Sequence, residues 1–268
     1  MGFWYRYRGK LSQFLGVDLT HSQRRYARLL DAVVRPGCRW LDLGCGRQLL
    51  PEWVLDRQSQ AALAGRASLL VGVDVDASIR EHTLIRNRIM AVGEHLPFRD
   101  SCLDLVTANV VVEHIADPRS LLGELWRILA PGGLFAFHTP NGLNYLVILA
   151  RLIPYSLRRK LVFLIEGRNE EDVFPTFYRM NSLSTIQKVG RECGWNVVLA
   201  KTVGSSGTFG RLGVLGWMEL IAMKSIARGR FQSNILCVMQ KPPAPEAHRQ
   251  PAEDLAAELQ RVLEERLR

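Results

Sequence analysis

The chain has 268 residues, 47% of them hydrophobic, and a formal net charge of +9. That length and apolar content support one globular domain with elaborations and exclude a disordered chain. The five cysteines, at 38, 45, 102, 193 and 237, have neither C-x-x-C spacing nor an even count, so reduced thiols are expected rather than a disulfide framework.

Residues 1–35 read as an aromatic, basic arm followed by a helix. Lys10 and six arginines stand there against Asp18 and Asp31. No apolar leader core follows Arg6, Arg8 and Lys10, so no signal peptide is expected. Helical spacing over 21–34 puts Tyr26, Leu29, Leu30 and Val33 on one stripe. Pro36-Gly37 stops it.

Residues 40–48 read Trp-Leu-Asp-Leu-Gly-Cys-Gly-Arg-Gln. A strand (39–43) ends in an acid and a Gly-x-Gly turn, where glycine lets the backbone approach a ligand that a Cβ would exclude. Residues 49–56 are expected to open a helix facing the same ligand, continuing to 64. A second strand, 69–74, ends at Asp74, whose two oxygens suit adjacent ribose hydroxyls. A helix is predicted over 77–90, a strand over 103–108, a helix over 118–129 and a strand over 134–138. This alternation predicts an α/β fold with a doubly wound, mainly parallel sheet, and ligands of such sheets sit beyond the strands' carboxyl ends.

Residues 142–180 interrupt the pattern. A helix over 183–193 and strands over 196–201 and 234–241 would complete the sheet, with a second insertion at 203–230. Pro242-Pro-Ala-Pro245 reads as a linker, and 253–268 as a charged helix. The expected organisation is therefore an arm and helix (1–35), a main α/β domain (36–241) with insertions at 142–180 and 203–230, and a linker with helix (242–268).

Further ordered segments sharpen this. Residues 93–106 read Gly-Glu-His-Leu-Pro-Phe-Arg-Asp-Ser-Cys-Leu-Asp-Leu-Val, and 112–118 read Val-Glu-His-Ile-Ala-Asp-Pro. Residues 124–133 read Glu-Leu-Trp-Arg-Ile-Leu-Ala-Pro-Gly-Gly, and 138–141 read His-Thr-Pro-Asn. With 41–46 they resemble the small-molecule branch of the class I S-adenosylmethionine-dependent methyltransferases, over about residues 25–142. The resemblance implies a seven-stranded sheet with inserted lid segments and S-adenosylmethionine as cofactor. Gly44, Cys45 and Gly46 would line its amino-acid and ribose portion, with Asp42 toward the methionine part. Asp74 would take the ribose hydroxyls, Val75 would pack on adenine, and Asn109 would lie against the methionine end. Two departures stand out. Gln48 replaces a frequent third glycine. Val92 falls where the family often has the aspartate that reads the adenine amino group, which leaves that edge to Gly93 or Glu94.

His114 is the candidate general base, since histidine's ordinary pKa lies near neutrality; His138 is the weaker candidate. In this branch such a histidine often orders the loop or contacts cofactor instead. Phe174, Tyr178 and Arg179, in a segment placed where lids are inserted, could wall an acceptor pocket and hold an anionic group; lid packing is the alternative. No tight metal-ligand spacing occurs, and no metal is expected.

The expected activity is methyl transfer to a small, lipid-like or glycan-related acceptor, with oxygen favoured over carbon or nitrogen. A nonenzymatic scaffold on a degenerate fold is the alternative, and a nicotinamide oxidoreductase a remoter one. Nucleic acid is not the expected partner, because the Pro-Pro motif of base methylation is absent; the oligomeric state is open. The expected location is cytoplasmic, with peripheral contact at the inner face of a membrane. That contact rests on the basic-aromatic residues 3–10, the apolar run 143–165 and Arg158, Arg159 and Lys160. Surface charge and solubility, or a buried lid or dimer contact, explain the same residues without a membrane.

Overall fold

A computed structural model describes residues 20–145, 147, 148, 174–204, 229–244 and 261. Residues 1–19, 146, 149–173 (with Arg158, Arg159 and Lys160) and 205–228, and all of 245–268 except 261, lie outside the described residues.

In chain order the elements are α1 (Ser22–Val33), β1 (Arg39–Leu43), α2 (Arg57–Ala64), β2 (Leu69–Asp74), a 3-10 turn (Ala77–Glu81), β3 (Asn87–Met90) and β4 (Leu103–Asn109). A second 3-10 turn (Val112–His114), α3 (Pro118–Ile128), β5 (Leu129–Pro140), α4 (Leu183–Glu192), β6 (Asn196–Val203) and β7 (Asn234–Gln240) follow, with a short 3-10 turn (Gly229–Phe231) before β7. The seven described strands form one sheet in the order β3-β2-β1-β4-β5-β7-β6. β1 to β5 are parallel, and β7 runs antiparallel between β5 and β6. The doubly wound α/β expectation is met.

Side chains alternate across the sheet. Leu41, Val106, Phe135, Phe137 and Met239 face α3 and α4 with Trp195. Trp40, Leu105, Ala136 and Val238 face α1, against Tyr26, Leu29 and Leu30. Asp42 shares Trp40's parity, so its carboxyl lies on the α1 face. The strand order reverses between β1 and β4, and that crevice is where ligands of open α/β sheets bind.

Two expected helices differ. The helix expected over 49–64 begins only at Arg57, capped by Asp56, whose carboxylate accepts from the Ser59 amide at 2.9 Å. Pro51 disfavours helical backbone at Leu50. The buried Gln60 side chain instead bonds the Leu50 N–H and carbonyl (3.1 and 2.9 Å) and the Leu55 carbonyl (2.7 Å). No helix start therefore follows the glycine turn. The helix expected over 77–90 is a single 3-10 turn followed by strand β3. His82 ends the turn, its Nδ1 accepting from Leu84 and Ile85 N–H at 3.2 and 3.0 Å. β3 then pairs with β2 from Asn87 onward.

Candidate functional site

The β1–α2 turn is built on two glycines in left-handed conformation, Gly44 at φ +67° and Gly46 at φ +53°. They serve different neighbours. A Cβ on Gly44 would lie 2.2 Å from Cγ2 of Val111, so this glycine makes room for the loop after β4. A Cβ on Gly46 would meet nothing within 4 Å, and this position borders open space. Gly44 and Cys45 donate their N–H to the Val73 carbonyl at 2.7 and 3.2 Å. Gly46 N–H donates to Asp74 Oδ2 at 2.8 Å, and Asp76 N–H to Asp74 Oδ1 at 2.9 Å. The Asp74 carboxylate is thus fixed at the rim with lone pairs still available on both oxygens. Cys45 is buried, and burial raises its thiol pKa, so it is a packing residue in this turn.

Asp42 is buried beneath the turn. Trp40 Nε1–H donates to Thr107 Oγ1 at 2.7 Å, and the Thr107 hydroxyl donates to Asp42 Oδ1 at 2.6 Å. Burial pushes the Asp42 carboxyl up to about 7; the Thr107 bond opposes the shift and the charge of Asp74 adds to it. Among the described residues no cationic side chain pairs with Asp42.

Asn109 ends β4, one residue beyond the Leu43–Ala108 pair, and so stands beside Gly44. Its amide pairs reciprocally with that of Gln23 from α1, at 3.1 and 3.0 Å. Its Oδ1 also lies 2.9 Å from His138 Nδ1. Val110 follows at φ +61°, an uncommon conformation for a β-branched residue, with its N–H held by the His138 carbonyl at 2.8 Å. On the other flank Val75 and Val92 are exposed, Glu94 is half-buried and Gly93 is buried against Leu121.

The expected acceptor side is assembled around Glu113 and His114. The Glu113 carbonyl accepts from Phe177 and Tyr178 N–H at 2.8 and 3.2 Å. Its buried carboxylate accepts from Thr139 Oγ1 at 2.9 Å, and Asn181 donates to that hydroxyl at 2.7 Å. His114 Nδ1 lies 2.7 Å from the Pro175 carbonyl. A carbonyl only accepts, so Nδ1 carries the proton and Nε2 is the nitrogen able to receive one. Phe174 meets His114 edge-on at 6.1 Å and is exposed, Tyr178 is half-buried at φ +52°, and Arg179 is exposed. Phe174 and Tyr178 therefore reach the His114 loop, whereas no described contact brings Arg179 to it. Among the described residues no group of three or more His, Cys, Asp or Glu side chains is placed to hold a metal ion.

A family model described as a methyltransferase domain matches residues 41–137. Over that stretch the chain is similar to a methyltransferase domain. The chain is 30% identical over 109 residues to the ubiquinone biosynthesis O-methyltransferase of Xanthomonas campestris, covering 41% of this chain and 46% of that protein. It is 35% identical over 136 residues to an uncharacterized methyltransferase of Mycobacterium tuberculosis, covering 45% and 64%. A 37.1 kDa transposon protein of Streptomyces fradiae is 29% identical over 139 residues, covering 49% and 38%. The chain thus spans less than two thirds of each of these relatives. The fold matches a putative methyltransferase solved with the Trm112 activator of Haloferax volcanii (TM-score 0.55, 17% identity, 89% of this chain and 96% of that one). It also matches a methyltransferase of Mesorhizobium loti (TM-score 0.52, 17% identity, 81% and 97%).

The family's cofactor is S-adenosylmethionine, and the residues present fit it. A buried carboxyl with no cation paired to it among the described residues suits a ligand bearing a sulfonium and an ammonium group. The open space at Gly46 and the fixed Asp74 carboxylate suit its ribose. The sequence reading missed Gln23, Thr107 and Tyr26, the last stacked on His138 with ring centroids 5.7 Å apart. Only Tyr26 left a signal, as part of the apolar stripe of α1.

Proposed function

We propose that this protein transfers a methyl group from S-adenosylmethionine to an oxygen of a small apolar acceptor. The observation that carries the reading is the pair of carboxylates flanking the Gly44–Gly46 turn: Asp42, buried with no cation paired to it among the described residues, and Asp74, fixed at the rim by two backbone N–H groups. S-adenosylmethionine supplies a methyl group already activated on sulfur, so the protein's task is alignment and exclusion of water. In this reading Asp42 faces the cationic amino-acid end, Asp74 accepts from the ribose hydroxyls, and Val75 and Val92 flank the adenine. His114 Nε2 receives the proton that an oxygen nucleophile gives up, while the Pro175 carbonyl holds the ring in that tautomer. Phe174 and Tyr178 line the acceptor side. The relative named for ubiquinone biosynthesis supports an oxygen nucleophile and an apolar acceptor.

Titration calorimetry tests the cofactor site. S-adenosylmethionine and its demethylated product should both bind, and Asp74→Ala should weaken binding by about 1.5–3 kcal/mol, the range for a hydrogen bond to a charged group. Equal affinity in the two proteins would remove Asp74 from the site. A folded wild-type protein that binds neither ligand would favour a scaffold on a methyltransferase fold.

A further inference from the structure

We infer that Gln23, on the N-terminal helix, is a positioning residue of the cofactor site: its amide pairs with that of Asn109 and aims the remaining Asn109 N–H at the carboxylate of S-adenosylmethionine. The inference rests on the methyltransferase reading.

The geometry is an amide lock. Gln23 Nε2 donates to Asn109 Oδ1 and Asn109 Nδ2 donates to Gln23 Oε1, so each amide uses one N–H and keeps one. Asn109 Oδ1 has a second partner in His138 Nδ1. An amide oxygen only accepts, so His138 is the Nδ1–H tautomer. Burial holds the His138 ring well below its ordinary pKa, at about 3, so it carries a single proton. With Oδ1 taken twice, the Asn109 side chain cannot rotate or exchange its nitrogen for its oxygen without breaking bonds. Asn109 itself follows the Leu43–Ala108 pair and so stands beside Gly44, on the turn next to the open space at Gly46. Neither side-chain amide has a further hydrogen-bond partner among the described residues, and both residues are half-buried. Val110, in left-handed backbone directly after Asn109, shows that the loop is held in an uncommon conformation where this amide is presented. A half-buried N–H donor beside a cofactor turn suits an anionic oxygen, and a hydrogen bond to a charged group is stronger than a neutral one. The cofactor's amino-acid end carries such a group; its nucleoside does not.

The test compares two ligands and one spectroscopic signature in wild type, Gln23→Leu and the near-isosteric Gln23→Glu, which cannot donate to Asn109 Oδ1 when ionised. S-adenosylhomocysteine carries the carboxylate, and 5′-methylthioadenosine lacks it. Both variants should weaken S-adenosylhomocysteine about tenfold and change methylthioadenosine little. Long-range nitrogen–proton NMR on the ligand-free protein should show His138 as Nδ1–H in wild type and a shift toward Nε2–H in Gln23→Leu. Equal weakening of both ligands, or none, would overturn the assignment, as would an Nε2–H tautomer in wild type. Wild type binding neither ligand would instead overturn the methyltransferase reading, and the NMR comparison would still report on the lock because it needs no cofactor.

Discussion

Asp42 places a carboxyl where an unliganded protein gains by keeping it protonated. Its pKa rises from an ordinary 3.8 to about 7 in the folded chain, chiefly through burial. The native state therefore binds its proton more tightly than the unfolded state. The stability this gives is fully present below about pH 4 and is lost as pH rises toward 7. A cationic ligand reverses the preference by favouring the ionised form. Cofactor binding near pH 6 should thus release a proton, and affinity should rise with pH up to about 7. Calorimetry at pH 6 in buffers of different ionisation enthalpy reads this directly. Identical heats in all buffers would mean that Asp42 does not change protonation on binding. Asp42→Asn should abolish the buffer dependence.

At the scale of elements, the glycine turn and the loop after β4 fit each other as a pair. Gly44 has no Cβ where Val111 stands, and Val110 has a left-handed backbone that brings Val111 there. Gly44→Ala should destabilise the fold by about 2–3 kcal/mol, combining left-handed strain on alanine with overlap against Val111. Val111→Ala in the same protein should recover the part due to overlap but not the part due to φ. Thermal or denaturant unfolding of the two single variants and the double variant gives the coupling. Strictly additive losses would mean that the two segments are not fitted to each other.

Across the whole molecule, two stretches distant in sequence reach the carboxyl ends of β4 and β5. Helix α1 packs on the β5 side of the sheet and delivers Gln23, while residues 174–181 return to Glu113, His114 and Thr139. With an acceptor in hand, Tyr178→Ala should raise its KM and leave cofactor affinity unchanged; an unaltered acceptor KM would remove Tyr178 from the pocket. Arg179→Ala is the companion test of the exposed cation. The membrane proposal belongs to this scale too. Among the described residues no helix is long and apolar enough to cross a membrane. Each cation near an anionic surface contributes roughly 1 kcal/mol, and salt weakens that attraction. Sedimentation with anionic vesicles should carry the protein down at low salt. High salt, or neutralising Arg158, Arg159 and Lys160, should release it. Protein staying in the supernatant at every salt concentration would point to a water-soluble acceptor.

The strands other than β3, the helices α1, α3 and α4, and the two carboxylates were legible in the chain because their signals are local. Period-two and period-3.6 spacing of apolar residues marks a strand or helix within a few turns. An acid followed by Gly-x-Gly marks a strand end wherever the strand lies. The break at 49–56 and the strand within 77–90 were not legible. Pro51 and Gln60 act together across nine residues, and β3 forms because β2 offers it an edge. The occupant of the space above Gly44 was decided by Val111, 67 positions away along the chain. The lock of Gln23, Asn109 and His138 joins three elements whose sequences carry no mark of one another. Local spacing determined which residues end strands beside a nucleotide-type turn. Only the tertiary structure decided which of them touch, because contact between side chains of different elements depends on how the sheet and α1 pack, and no short window of sequence encodes that distance.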